Sequence, residues 1–241
     1  MSRALLMLGV LVPGLASAAE TPLSQMSFAG SPLSMMGMLA LMSLLPFVVL
    51  MLTSFSKIAV VLSLARSAMG TQQAPPTIVL TGLAAVLTGH VMAPVMERMY
   101  DVGQAVYQDV GSGAQILSAA ERVTEPLRTF LVKHGSPEER ARFLDLAREL
   151  RPPEEANAVH EDDLFVVIPA FVITELTEAF QIGFLVFLPF LVLDMVIANI
   201  LLALGMQSLS PSQVSLPFKI LLFVAVDGWA LLARGLILGY R

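Results

Sequence analysis

Six ionisable residues stand in otherwise apolar surroundings: Lys57, Glu175, Glu178, Asp194, Lys219 and Asp227. A charge inside an apolar helix is costly, so each marks either a partner or a function. Glu175 and Glu178 are spaced i, i+3 and share one helix face. Lys219 and Asp227 lie eight positions apart, about 80° around a helix of 3.6 residues per turn. Spacing reveals no strong intrachain partner for the two glutamates, which points to cations on neighbouring subunits. Three chemistries fit the set. The carboxylates could be proton or sodium sites of a transporter. The charges could form buried ion pairs that set register between subunits. Or they could sit on helices that leave the hydrocarbon.

Catalysis finds little footing. The three histidines, His90, His134 and His160, have no HExxH or triad-like context, and no P-loop or GxSxG is present. With no cysteine there is no disulfide, thiolate metal site or thiol nucleophile. The run His160-Glu161-Asp162-Asp163 has the ligand types for a cation, but such runs are usually solvated, and an acidic loop before a helix is the favoured reading. No enzymatic role, catalytic residue, cofactor or metal is therefore expected. Fourteen methionines supply soft side chains suited to filling core gaps or to surfaces that reshape around partners.

The elements that must carry these charges are greasy. Of 241 residues 56% are hydrophobic and 14% charged, against about 25% charged in an ordinary soluble domain. Mean hydropathy is +0.78. A single soluble globule of this size could not hide so much apolar surface, and the same composition excludes intrinsic disorder. The net charge of −5 leaves no basic footprint for nucleic acid.

Charge is concentrated in the middle. Between Glu97 and Asp163 lie 14 acidic and 8 basic residues. Upstream, residues 1–19 read as a signal peptide, with Arg3 as its positive end, Ala4–Leu15 as a short apolar core, and Ala16-Ser17-Ala18 as the cleavage site before Ala19. The segments Leu33–Phe55 and Thr77–Met96 are of spanning length. Leu164–Met206 is too long for one span and requires a fold-back, a bend at Pro169, Gly183 or Pro189, or an extension beyond the membrane. Ser212–Ala233 is the last apolar region. The 57–77 connection carries Lys57 and Arg66 without an acid, which predicts a cytoplasmic position and places 97–163 outside.

The expected fold class is all-α, of the integral-membrane type. Its divisions are a signal peptide (1–19), an N-terminal hairpin of two apolar helices (20–96), a hydrophilic helical region on the periplasmic side (97–163) and C-terminal apolar hairpins (164–241). Ser136-Pro137-Glu138-Glu139 predicts a capped helix start with a capping box. Phe143, Leu144, Ala147 and Leu150 follow at helical spacing, and Pro152-Pro153 ends the helix. Leu127, Phe130 and Leu131 mark a shorter helix ending at Gly135. Gln72-Gln73-Ala74-Pro75-Pro76 reads as a rigid neutral elbow. Gly205 to Pro211 reads as a tight turn between antiparallel helices. Gly235 and Gly239 form a weak GxxxG contact signal.

A series of ordered motifs goes further. It begins with Leu52-Thr-Ser-Phe-Ser-Lys-Ile58 and Gly70-Thr-Gln-Gln-Ala-Pro-Pro76. Met92-Ala-Pro94, Ile168-Pro-Ala-Phe171, Glu175-Leu176 and Ala179-Phe-Gln-Ile-Gly-Phe184 follow. Leu188-Pro-Phe190, Asp194-Met-Val-Ile197, Leu204-Gly-Met206, Ser215-Leu-Pro-Phe-Lys219 and Asp227-Gly-Trp229 complete it. Together, from about Leu33 onward, they resemble the FliP/SctR family of export-gate subunits of bacterial type III secretion. Asp163-Leu-Phe165, Ile168-Pro-Ala-Phe171 and Asn199-Ile-Leu-Leu-Ala203 resemble the injectisome (SctR) branch, which is the favoured one. The signal peptide and Glu125-Pro-Leu-Arg128 lean to the flagellar (FliP) branch.

The resemblance implies a protein-conducting channel in the bacterial inner membrane. It implies a homo-oligomer of five copies with SctS/FliQ-like and SctT/FliR-like subunits, SctU/FlhB-like and SctV/FlhA-like components, and unfolded secreted proteins as cargo. It implies that Lys57, Glu175, Glu178, Asp194, Lys219 and Asp227 join subunits. It also implies a pore constriction at Met206, Gln207, Ser208 and Leu209, where the family carries consecutive methionines and this chain keeps only Met206.

Overall fold

The computed structural model describes residues 32–71, 73–109, 113–206 and 208–241. The signal peptide expected at 1–19, and Gln72 and Gln207, lie outside the described residues. Every regular element among the described residues is a helix, in keeping with the all-α expectation. Two compact units are present, one ending at Phe47 and one covering Val48–Arg241.

The first unit contains most of α1 (Pro32–Met51), a helix with no charged residue. Met35, Met38, Leu39, Met42 and Phe47 are all exposed on it. A helix apolar all round is stable only where lipid or other helices cover it.

In the second unit, α2 (Phe55–Ala68) packs between α3 (Thr77–Asp109) and α7 (Leu164–Ala203). Its buried face is Lys57, Ile58, Val61, Leu62, Ala65 and Ala68, the i, i+3/i+4 stripe of a core helix. Ile58, Val61 and Leu62 meet Leu80, Ala84 and Leu87 of α3 and Ala179 of α7. Much of the expected 57–77 connection is thus a buried helix, and the described residues of the 20–96 region belong to three helices, α1, α2 and the start of α3, where a two-helix hairpin was expected. Ala, Val, Leu and Ile around Lys57 favour burial once that one charge is neutralised. The elbow is clamped by Arg66, whose Nη1 donates to Pro75 O at 3.3 Å and to Thr77 Oγ1 at 3.0 Å.

Helix α3 runs past Met96 to Asp109 without a break, because Glu97, Arg98 and Asp101 change its polarity but not its helical propensity. Next come α4 (Gly113–His134), α5 (Pro137–Glu149) and the short α6 (Pro153–Ala156). Ser136 caps α5, its Oγ accepting from Glu138 N at 3.3 Å. The reciprocal half of the expected capping box is replaced. Ser136 N donates to Thr174 Oγ1 of α7 at 2.9 Å, and Glu139 pairs with Arg142 at 2.7 Å. Tertiary contact here takes the N–H that a local glutamate would otherwise accept.

The overlong apolar region is one helix. α7 has 40 residues with Pro169 and Pro189 inside it, giving a rod about 60 Å long, roughly twice the hydrocarbon thickness. Of the expected outcomes, fold-back does not occur, since Leu164–Ala203 stays one helix. Gly183 serves contact: a Cβ there would lie 2.2 Å from Leu64 Cδ1 and 3.1 Å from its Cβ, so glycine lets α2 approach α7 closely. After the turn at 204–210, α8 (Pro211–Ala225) and α9 (Gly228–Leu238) are bent by 57° relative to each other. α3 over Thr77–Val106 and α7 are each long and apolar enough to cross a membrane, and α8 with α9 qualifies as one broken span.

Candidate functional site

The first charge cluster joins helices remote in sequence. Lys57 Nζ of α2 lies 2.8 Å from Glu175 Oε1 and 2.6 Å from Glu178 Oε2 of α7. The glutamates' shared face, read from their i, i+3 spacing, is the face that meets α2. Glu175 and Lys57 are buried, whereas the Glu178 side chain is 47% exposed. Tyr240 completes the cluster. Its hydroxyl donates to Glu175 Oε2, and its ring lies under Lys57 Nζ at 4.3 Å from the centroid, a cation–π distance. Burial, reinforced by the Glu175 charge, holds the Tyr240 phenol well above its ordinary range, so it remains a donor. The cation expected from a neighbouring subunit is therefore present in the same chain. The cause is the break at 52–54, after which α2 lays Lys57 against α7.

His134 ends α4 beside this cluster, its ring 4.7 Å from Phe130 and 5.1 Å from Tyr240 between centroids. Its pKa is lowered to about 4, by burial first and then by the charges of Lys133 and Lys57. It is neutral at physiological pH.

The second cluster ties α7 to α8. Lys219 Nζ lies 2.6 Å from Asp194 Oδ2, and Ser215 Oγ donates to Asp194 Oδ1. Ser215 and Lys219 are both buried. Lys219 therefore pairs across the hairpin, not with Asp227. Asp227 sits at the α8–α9 break with φ +52° and is exposed, and no ion pair forms on it among the described residues. Aspartate tolerates the left-handed region better than bulky residues do, and Asp227 O accepts from Leu231 N at 3.0 Å to open α9. Gly228 follows under the Phe223 ring, where a Cβ would come within 2.3 Å of Cε2.

At the far end of the α7–α8 hairpin lies the expected constriction segment. Gly205 takes φ +72°. Its N–H donates to Leu202 O at 3.0 Å, and Met206 N donates to Leu201 O at 2.9 Å, the paired bonds of a Schellman stop. Pro211 then opens α8. Met206 and Leu209 are each 42% exposed on this turn, and Ser208 between them is exposed too. Gln207, the fourth residue of the expected set, lies outside the described residues.

The acidic run at 160–163 is used structurally. Asp163 Oδ2 accepts from His160 N at 2.8 Å, Glu161 pairs with Arg140 at 3.5 Å, and Asp162 O accepts from Arg128 Nε at 2.9 Å. Sequence reasoning missed two members of the clusters. Ser215 is i, i+4 from Lys219, and that spacing could have placed both on one face. Tyr240 carries no spacing signal, because its role depends on where the chain returns after α9.

Comparison with known proteins bears on most of the chain. Residues 38–236 match the FliP family. The hypersensitivity response secretion protein HrcR of Ralstonia nicotianae is 46% identical over 210 residues, 86% of this chain and 97% of that protein. The Yop proteins translocation protein R of Yersinia pestis is 46% identical over 202 residues, 84% of this chain and 93% of that protein. The flagellar biosynthetic protein FliP of Caulobacter vibrioides is 43% identical over 207 residues, 86% of this chain and 76% of that protein.

Proposed function

This chain belongs to the FliP family, and we propose that it is a core subunit of a type III protein secretion export gate, of the injectisome branch. The observation that carries this reading is the similarity, over more than four fifths of this chain, to relatives named for secretion and translocation. In this reading, copies of the chain assemble with SctS/FliQ-like and SctT/FliR-like subunits, work beside SctU/FlhB-like and SctV/FlhA-like components, and enclose a conduit for unfolded protein at the inner membrane. The hydrophilic 97–163 region faces the periplasm. The flagellar export apparatus is the alternative, supported by the Caulobacter relative.

Two physical features support a subunit rather than a self-sufficient monomer. Phe180, Phe184, Leu185, Val192 and Met195 leave one long side of α7 exposed in the single chain, and apolar area of this extent needs lipid or other helices over it. The hairpin tip offers Met206 and Leu209 outward, anchored by the Asp194–Lys219–Ser215 tie. Rings of such side chains gate by dewetting. The ion-coupled transporter reading loses support, because Glu175 and Asp194 already hold lysines of the same chain.

The test replaces Met206 and Leu209 by glycine in the assembled complex. Ion leakage across reconstituted membranes should rise while the complex still co-purifies with its two small hydrophobic partners. Unchanged conductance would remove the tip from the gate, and isolation of the wild-type chain only as a monomer would remove the channel reading itself.

A further inference from the structure

The chain has fourteen methionines and no cysteine. Thioethers are therefore its only oxidisable sulfur, and which of them reacts depends on access to a water-borne oxidant. Their settings differ. Met69 and Met92 are each 5% exposed in the core. The exposed methionines of α1, and Met195 of α7, lie on the flanks of apolar helices. Lipid or neighbouring helices have to cover such flanks, and an apolar cover excludes water. Met96 is exposed where α3 turns polar at Glu97 and Arg98. Met206 is 42% exposed on the α7–α8 turn, beside the exposed Ser208.

Met206 is fixed as well as accessible. Its N–H donates to Leu201 O at 2.9 Å, and its carbonyl accepts from Leu209 N at 3.4 Å. Both bonds are made by the backbone. A change confined to the thioether therefore alters the polarity of the tip and leaves the turn in place. Leu209, the other exposed apolar side chain of the turn, carries no oxidisable atom. The tip thus presents one redox-sensitive apolar group per copy.

We propose that Met206 is a modification site, and that its oxidation to the sulfoxide opens the seal at the hairpin tip. The proposal rests on the reading of 206–209 as the constriction. The step is a two-electron oxygen transfer from a peroxide. The sulfur lone pair attacks one oxygen of hydrogen peroxide and forms the S–O bond. The O–O bond breaks, and the departing hydroxide takes the remaining proton and leaves as water. Sulfur is oxidised and the peroxide reduced. The product is a polar side chain in place of a flexible apolar one. An apolar constriction closes by dewetting, whereas a ring of sulfoxides holds water. Sulfoxide reductases remove the oxygen, which makes the change reversible.

The experiment treats the assembled complex, reconstituted in vesicles, with hydrogen peroxide. Wild type, Met206→Leu and Met96→Leu are compared. Ion leakage and the oxygen gained by each methionine peptide, read by mass spectrometry, are followed together. Met206 should oxidise well before the buried Met69 and Met92. Leakage of the wild type and of Met96→Leu should rise about tenfold or more, the ratio that about 1.4 kcal/mol of added hydration gives. Met206→Leu, a swap of similar volume, should stay closed. Methionine sulfoxide reductases with a dithiol should reseal the wild type. Unchanged leakage with Met206 fully oxidised, an equal response from Met206→Leu, or oxidation of Met206 no faster than that of Met69 would each overturn the proposal. The variant Met206→Gly/Leu209→Gly separates the two readings. If it leaks and the oxidised wild type does not, the switch alone fails; if neither leaks, the gate reading fails with it. Should Met206→Leu not assemble, the wild type decides: resealing that tracks loss of the Met206 oxygen supports the site, and a leak that outlasts that oxygen overturns it.

Discussion

Removing Lys57 should damage this protein far more than removing any surface charge. In Lys57→Met the aliphatic stem is replaced but Glu175 loses its cation at 2.8 Å and Glu178 its cation at 2.6 Å. Glu178 is half exposed and can turn to water. Glu175 has no exposed side-chain surface and keeps only the Tyr240 hydroxyl. Stranding one partner of a buried pair costs about 3–5 kcal/mol, so most of the loss falls on Glu175. The comparison that isolates this cause is Lys57→Met/Glu175→Leu, which removes both charges. Its cost should fall to about 0–2 kcal/mol, because an apolar replacement of a buried pair is often close to neutral. Arg142→Ala, at an exposed pair, should cost about 0–1 kcal/mol. Denaturant midpoints of the detergent-solubilised protein, converted through a common slope, give these three values and that of Glu175→Leu alone. If the double variant lost as much as the sum of Lys57→Met and Glu175→Leu taken singly, the residues would be uncoupled and the reasoning refuted.

Three further outcomes follow from the same geometry. Exchanging Lys219→Asp and Asp194→Lys in one polypeptide should restore assembly that either change alone impairs, whereas placing the two changes on separate co-expressed copies should not; rescue in trans would locate the pair between subunits. Gly228→Val should cost about 1–3 kcal/mol from overpacking, because the Phe223 ring it would strike is held by Phe190 and Trp229; a thermal melt within error of wild type would contradict this. Between pH 6.5 and about 4 the unfolded chain binds a proton at His134 that the folded chain does not. Stability should therefore be full above pH 6.5 and fall as pH drops through that window, by about 1–2 kcal/mol after discounting for solvent screening. His134→Gln should flatten the slope, and an unaltered profile would count against it.

Helix identity and polarity were legible from residues alone. The absence of charge over Thr77–Met96, the Ser136-Pro137 start of α5 and the Gly205 stop of α7 are local signals, and the structure uses all three. Ordered motifs also pointed to the family, because short runs such as Asp194-Met-Val-Ile197 persist as text whatever they contact. The structure decided how the charges are matched. Helical periodicity tells that Glu175 and Glu178 share a face, but not which distant element meets it. Lys57 is 118 positions before Glu175, and their pairing depends on the chain turning back at 52–54. In the same way Tyr240 reaches Glu175 only after α9 returns along α3, and Thr174 displaces the glutamate that would have closed the cap at Ser136. Local propensities act over a few residues and so can be read from a linear sequence. Burial of a charge is settled by long-range packing, where one α2–α7 contact fixes the partner, the exposure and the protonation state of its neighbours at once.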